Sequence, residues 1–207
     1  MRLIPGLSVA ASLAYLLVPS DAPVVLVVVL KGLSVSLLGV VALQARQWLL
    51  SLALLLSSLG DVVLACGREY FVAGLAAFLC AHVVYIALFV RRGTSGGGLA
   101  FAACVAIFGL AFGAWLSPSL GALRVPVFCY IGAIVGMVAS ASRADYGNRW
   151  VLAGAILFLI SDSLLGAGRF KTPIPLGGVL VWTTYYAAQC SIALGVMRAP
   201  VRASEGD

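Results

Sequence analysis

The sequence predicts an all-α, polytopic integral membrane protein of about eight transmembrane helices, built as a single membrane-embedded helical domain over residues 1–207. Three observations predict it. Apolar residues make up 63% of the chain and charged residues only 10%, whereas a soluble domain needs roughly 25% charged residues to stay dissolved. The mean hydropathy is +1.13. The apolar residues also fall into eight runs near the length of about 20 residues that crosses a bilayer core.

The runs are Leu3–Val18, Ala22–Leu43, Trp48–Cys66, Phe71–Val90, Leu99–Leu116, Val125–Ala141, Trp150–Gly168 and Leu176–Met197. Short polar or Pro/Gly-containing breaks separate them, and Arg91-Arg92-Gly93 through Gly98 is the clearest loop. The first run is the shortest and could lie tilted or peripheral, so seven helices is the competing count. It lacks the small-residue cleavage site of a signal peptide and further spans follow it, so it is expected to be retained.

The net charge of +6 is not a nucleic-acid signature, because the bases are scattered singly between apolar runs. Their distribution reports orientation instead. With eight helices, one face carries Arg2, Arg46, Arg91, Arg92, Arg143, Arg149, Arg198 and Arg202, and the other only Arg68, Arg124, Arg169 and Lys171. The positive-inside rule then puts both termini in the cytoplasm, with helices three and seven ending on the opposite face. The expected location is a bacterial inner (cytoplasmic) membrane.

Sliding the chain by 101 residues lays Asp61-Val-Val-Leu64-Ala-Cys-Gly67-Arg68 over Asp162-Ser-Leu-Leu165-Gly-Ala-Gly168-Arg169, and Tyr85 over Tyr186. The offset equals four helices, which suggests a parallel four-plus-four internal repeat.

Ionisable groups at membrane depth are costly and face the bundle interior, so each is a functional candidate. Lys31, Asp61, His82 and Asp162 are the ones well inside a span. Each aspartate has an arginine seven residues later, two turns on and about 10 Å along the axis. A carboxyl therefore sits below a guanidinium held at headgroup level, where a planar fork suits a phosphate. A structural alternative is that Lys31 pairs with one aspartate only to neutralise buried charge. Two carboxyls plus a lysine fit a tuned acid–base site better, so Asp61, Asp162 and Lys31 are the candidate catalytic residues.

Arg68, Arg169, His82, Tyr185, Tyr186 and Gln189 are the candidate substrate-binding residues. Gln189 shares a helix face with both tyrosines; interhelical hydrogen bonding is their structural alternative. His82 is the only histidine, which excludes a three-histidine zinc site. The five cysteines (Cys66, Cys80, Cys104, Cys129 and Cys190) lie in apolar runs without CxxC spacing and read as packing residues. No metal and no cofactor is expected. Gly109-x3-Gly113 and Gly132-x3-Gly136 allow close helix approach. Ser57, Ser58 and Ser161 lack the Gly-x-Ser-x-Gly context of an activated serine.

Several blocks together resemble the YhhN-type lysoplasmalogenase family, which includes mammalian multi-span members. They are Ser58-Leu-Gly-Asp61-Val-Val-Leu, Gly74-Leu-Ala-Ala-Phe78 with Ala81-His82-Val-Val-Tyr85, Gly154 to Phe158 leading into Ser161-Asp162-Ser-Leu-Leu, Arg169-Phe170, and Tyr185-Tyr186-Ala-Ala-Gln189. One departure is Gly32 after Lys31, where the family would have proline. The resemblance implies hydrolysis of the vinyl ether bond of a lysophospholipid substrate, a lysoplasmalogen, to a fatty aldehyde and a glycerophospho-base. A neutral carboxylic acid would protonate the outer alkene carbon, and a carboxylate would stabilise the oxocarbenium ion and activate water, the division of labour used on glycosidic bonds. Hydrolysis of another lysolipid or ether lipid, and a small transporter or lipid-binding protein using the same buried charges, are the alternatives.

Overall fold

The computed structural model describes residues 3–19, 21–93 and 98–200. Arg2 and Arg202, both used in the orientation argument, lie outside the described residues, as do loop residues 94–97. Eight α-helices form: α1 (Leu3–Leu16), α2 (Val24–Gln44), α3 (Trp48–Cys66), α4 (Phe71–Val90), α5 (Leu99–Leu116), α6 (Arg124–Arg143), α7 (Trp150–Phe170) and α8 (Gly177–Met197). No strand occurs among the described residues. In hydrocarbon every backbone N–H and C=O must be satisfied within the segment, which is why the apolar runs become helices.

Seven of the eight, α2 to α8, are long and apolar enough to cross a membrane. The chain is an integral multi-pass membrane protein. The exception is α1: its 14 residues reach about 21 Å at 1.5 Å per residue, short of the roughly 30 Å core. Eight helices are present, as expected, and seven of them meet the length and composition of a span.

The distribution of polarity is the reverse of a soluble bundle. On α1, Leu3, Leu7 and Leu13 are exposed while Ser8 and Ser12 are buried. With lipid as solvent, apolar side chains gain nothing by turning inward, and small polar residues tie helices together by hydrogen bonds. Ser8 Oγ donates to Ser34 O of α2 at 2.5 Å, Ser58 Oγ of α3 to Gly32 O of α2 at 2.9 Å, and Ser161 Oγ of α7 to Val181 O of α8 at 2.9 Å.

Successive helices pack in the order α1, α2, α3 and α4. The next step goes from α4 to α6, which also touches α5 and α7; α7 packs on α8, and α8 returns to α2, closing the ring. α5 lies outside that ring, against α6 and more lightly against α7. Close approach is set by glycine. A Cβ at Gly154 would stand 2.7 Å from Ala188 O of α8, and one at Gly60 only 2.5 Å from the Phe78 ring of α4. Gly109 and Gly113 face Val135 and Phe128 of α6, and Gly136 faces Ile86 of α4, but a Cβ at Gly132 would meet nothing.

α3 ends at Gly67, whose φ of 153° favours glycine, and a 3-10 turn over Arg68–Tyr70 follows. That break turns Arg68 back over the end of the bundle, where it joins the wall of the site.

Candidate active site

The half of the bundle in which α3 and α7 end contains a cavity of about 750 Å³, inside the range of roughly 300–1,000 Å³ usual for small-molecule sites. Lys31 of α2, Asp61 of α3, Asp162 and Arg169 of α7, Tyr185 of α8 and Arg68 all line it. Residues as far apart as Lys31 and Tyr185, 154 positions, are thus brought to one space. The charged residues singled out within helices α2, α3 and α7 converge as lipid exclusion demands.

The two carboxyls are held alike. Tyr185 Oη donates to Asp61 Oδ2 at 2.7 Å, and Tyr130 Oη of α6 donates to Asp162 Oδ2 at 2.5 Å. In each case one oxygen is fixed by a phenol from a neighbouring helix. The other oxygen, Oδ1, accepts no hydrogen bond from the described residues and stays available to a ligand or water. Asp61 is only 5% exposed. The tyrosine partners come from α8 and α6, which the 101-residue offset does not superimpose, so the two carboxyls of the sequence repeat are supported from different directions.

Lys31 is placed by aromatic faces rather than by a carboxylate. Its Nζ lies 4.9 Å from the Tyr15 ring centroid and 5.1 Å from that of Trp182, within cation–π range. No Lys31–aspartate pair closes to 4.0 Å, so a simple contact ion pair is not what Lys31 is there to make.

At the outer end, two helical turns beyond Asp162 on α7 and past the end of α3, the arginines converge. The Arg169 guanidinium lies 3.9 Å above the Phe71 ring, and its Nη2 donates to Arg68 O at 3.5 Å. Stacking occupies the face of the guanidinium and leaves N–H edges free, which suits bidentate capture of an anion.

The other three binding candidates lie behind the wall or beside it. His82 is fully buried, edge-on to Tyr130 and Phe158 at centroid distances of 5.2 and 4.8 Å, with Nε2 3.9 Å from Asp162 Oδ2. Gln189 Oε1 accepts from Tyr85 Oη at 2.6 Å inside the core. Tyr186 turns toward α1, where its Oη and Ser8 Oγ share a 2.7 Å hydrogen bond. None of the three lines the cavity.

The lining residues that touch the charged groups and escaped the sequence reading are Tyr130, Tyr15 and Trp182. Tyr130 carries a usable signal as the lone phenol in the middle of its apolar run, but Tyr15 and Trp182 sit among aromatics that membrane helices carry for many reasons. Among the described residues no three His, Cys, Asp or Glu side chains gather as a metal ion would require.

Residues 26–196 match the YhhN family. The chain is 39% identical over 162 residues to a protein named lysoplasmalogenase from Mycobacterium tuberculosis (strain CDC 1551 / Oshkosh), covering 73% of this chain and 61% of that one. It is 34% identical over 157 residues to human lysoplasmalogenase TMEM86B, covering 74% and 65%. With mouse lysoplasmalogenase TMEM86B it is 32% identical over 199 residues, covering 92% and 84%. The match thus spans about three fifths of the mycobacterial relative's length. No solved structure matches the chain.

Proposed function

Because the chain belongs to the YhhN family, we propose that it is a membrane-embedded hydrolase that cleaves the vinyl ether bond of lysoplasmalogens, releasing a fatty aldehyde and a glycerophospho-base. The observation that carries this reading is the shared cavity: two aspartates and a lysine line one space together with two arginines from the ends of α3 and α7. The names of the relatives support it, since proteins named lysoplasmalogenase are 39% identical to this chain over 162 residues and 34% identical over 157.

In this reading Arg68 and Arg169 hold the headgroup phosphate and the glycerol linkage reaches the carboxyls. One aspartic acid gives its proton to the outer alkene carbon, leaving an oxocarbenium ion on the carbon bonded to oxygen. The other aspartate, ionised, stabilises that cation and takes a proton from water as water adds to it. The resulting hemiacetal collapses when its hydroxyl loses a proton and the glycerol oxygen gains one. Aldehyde and glycerol hydroxyl are released, and the two carboxyls end with the proton count they began with. Charge arithmetic favours this sharing: with one carboxyl neutral, the remaining carboxylate and the Lys31 ammonium cancel. Tyr130 and Tyr185 orient the carboxyls through Oδ2, leaving Oδ1 of each to the reaction.

The arginine bias between faces supports a cytoplasmic C-terminus and a cavity opening to the non-cytoplasmic leaflet of a bacterial inner membrane, and, with α1 counted as a crossing, a cytoplasmic N-terminus as well. Membrane-impermeant labelling of cysteines placed beside Arg68 and Arg169 tests the orientation; labelling only from the cytoplasmic side reverses it. Activity is tested by aldehyde release from lysoplasmalogen by purified protein, with the saturated-ether and ester lysolipids in parallel. Release only from the vinyl ether is expected. Cleavage of the ester alone would make this a lysolipid esterase and overturn the reading.

A further inference from the structure

α7 stands inside the cavity rather than beside it. On one side, Ser161 Oγ is bonded to Val181 O of α8, and a Cβ at Gly168 would face Ile174 just before α8. On the other, a Cβ at Gly166 would face Leu116 and Phe112 of α5, each at 3.6 Å. Residues of both faces line the same space, so the C-terminal half of α7 divides it into two lobes. Asp162 and Arg169, seven residues apart on one stripe, lie on the edge between those faces.

The lobes differ in chemistry. The α8 side contains Lys31, Asp61, Tyr15 and Trp182. The α5 side is walled by Phe108, Phe112 and Leu116 of α5 and by Val127, Ile131 and Ile134 of α6, and is wholly apolar. It runs about 12 Å along α5 from Phe108 to Leu116, beginning at the depth of the carboxyls. Tyr130 Oη, bonded to Asp162, closes its inner edge.

We propose that the apolar lobe between α5, α6 and α7 is the seat of the substrate's hydrocarbon chain, and that its wall at Gly166 and Phe112 sets which chains are accepted. The assignment rests on the hydrolase reading above and adds to it where each part of the lipid lies. The occupant follows from continuity: the lobe meets the site at Asp162, one of the two carboxyls the linkage reaches, and its α5 and α6 walls offer apolar side chains that suit a hydrocarbon chain. The headgroup and glycerol take the other side, where Lys31 and Asp61 are. The position of α5 outside the main ring of helices fits this role, since α5 meets α7 only lightly.

The test uses the full chain in detergent or nanodiscs with lysoplasmalogens of graded chain length, reading kcat/KM by aldehyde release. Gly166→Leu places a side chain in the lobe, where its Cβ is in ordinary contact and the rest has no room except the chain's. The long-to-short ratio of kcat/KM is expected to fall about tenfold or more. Phe112→Ala, which deepens the wall, should raise that ratio. Gly178→Leu, on the α8 side where a Cβ meets nothing within 4 Å, should leave the ratio unchanged. A ratio moved by Gly178→Leu and not by Gly166→Leu puts the chain in the other lobe and overturns the proposal. Thermal stabilisation by the same lipids is read alongside, without turnover. Stabilisation that depends on chain length and is lost in Gly166→Leu, with no aldehyde from any lipid, keeps the lobe and sinks the hydrolase. Aldehyde release with the same chain profile in wild type, Gly166→Leu and Phe112→Ala keeps the hydrolase and sinks the lobe.

Discussion

Replacing either aspartate by asparagine separates catalysis from charge neutralisation, and the position of Lys31 sets the expected size of each effect. If Asp61 and Asp162 exchange protons with substrate and water, Asp61→Asn and Asp162→Asn each remove a positioned proton-transfer group, worth roughly 10²–10⁴-fold in turnover. Stability should respond far less. Breaking a buried contact ion pair costs about 3–5 kcal/mol because a charge is left unmatched. Here Lys31 Nζ is held 4.9 and 5.1 Å above two aromatic rings and touches no carboxylate. Those faces contribute about 0.5–2 kcal/mol and survive the substitution. Asparagine also keeps a carbonyl oxygen for the Tyr185 or Tyr130 hydroxyl to donate to. The expected loss is therefore about 1 kcal/mol or less, a shift in Tm of roughly 2–4 °C for a chain of this size. The assay pairs aldehyde release with thermal unfolding of the purified protein, for each variant alone and combined with Lys31→Met. Variants that fold normally, are inactive and stay inactive with Lys31→Met are expected. A large loss of stability that Lys31→Met reverses, together with recovered turnover, would show that the aspartates only balance the lysine, and the catalytic reasoning would fall.

Other outcomes follow from the same geometry. Arg68→Ala and Arg169→Ala should raise KM for a phospho-headgroup substrate by about tenfold or more with a smaller change in kcat, and Arg169→Lys should not restore it, because an ammonium lacks the planar fork; equal KM values for all three would remove the phosphate role. Tyr130→Phe and Tyr185→Phe each delete one hydrogen bond to a carboxyl, worth about 1.5–3 kcal/mol if the acceptor is ionised, so kcat should drop about tenfold or more while the fold is retained; unchanged kinetics would show that neither phenol orients its aspartate. Gly154→Ala should destabilise by about 1–3 kcal/mol, since its Cβ would press on the α8 backbone at 2.7 Å, whereas Gly132→Ala, facing open space, should be neutral in the same melting experiment.

Much of this protein could be read before folding was considered, and the reason is its solvent. A bilayer core of about 30 Å imposes one length on every span, so the predicted run Trp48–Cys66 is α3, Phe71–Val90 is α4 and Leu99–Leu116 is α5 without adjustment. The same solvent makes a buried charge expensive, so Lys31, Asp61 and Asp162 could be singled out one by one from a chain with 10% charged residues. The shortness of α1, 14 helical residues from a 16-residue run, is likewise visible in the sequence as the shortest of the eight runs.

Tertiary structure decided what those groups meet, because partners drawn from three other helices leave no pattern along the chain. The phenols that hold the aspartates come from α8 and α6, and the rings over Lys31 from α1 and α8. Tyr185 and Tyr186 are neighbours in sequence, yet helical rotation points one at Asp61 and the other at Ser8. Gln189 and His82 are buried as polar residues should be, but the helices that enclose them put them behind the cavity instead of in it. The division of the cavity by α7 has no trace in the apolar runs at all. Leu, Ile and Phe on a membrane helix look alike whether they face lipid, a neighbour or a substrate chain, and only the placement of α5 outside the ring distinguishes the three.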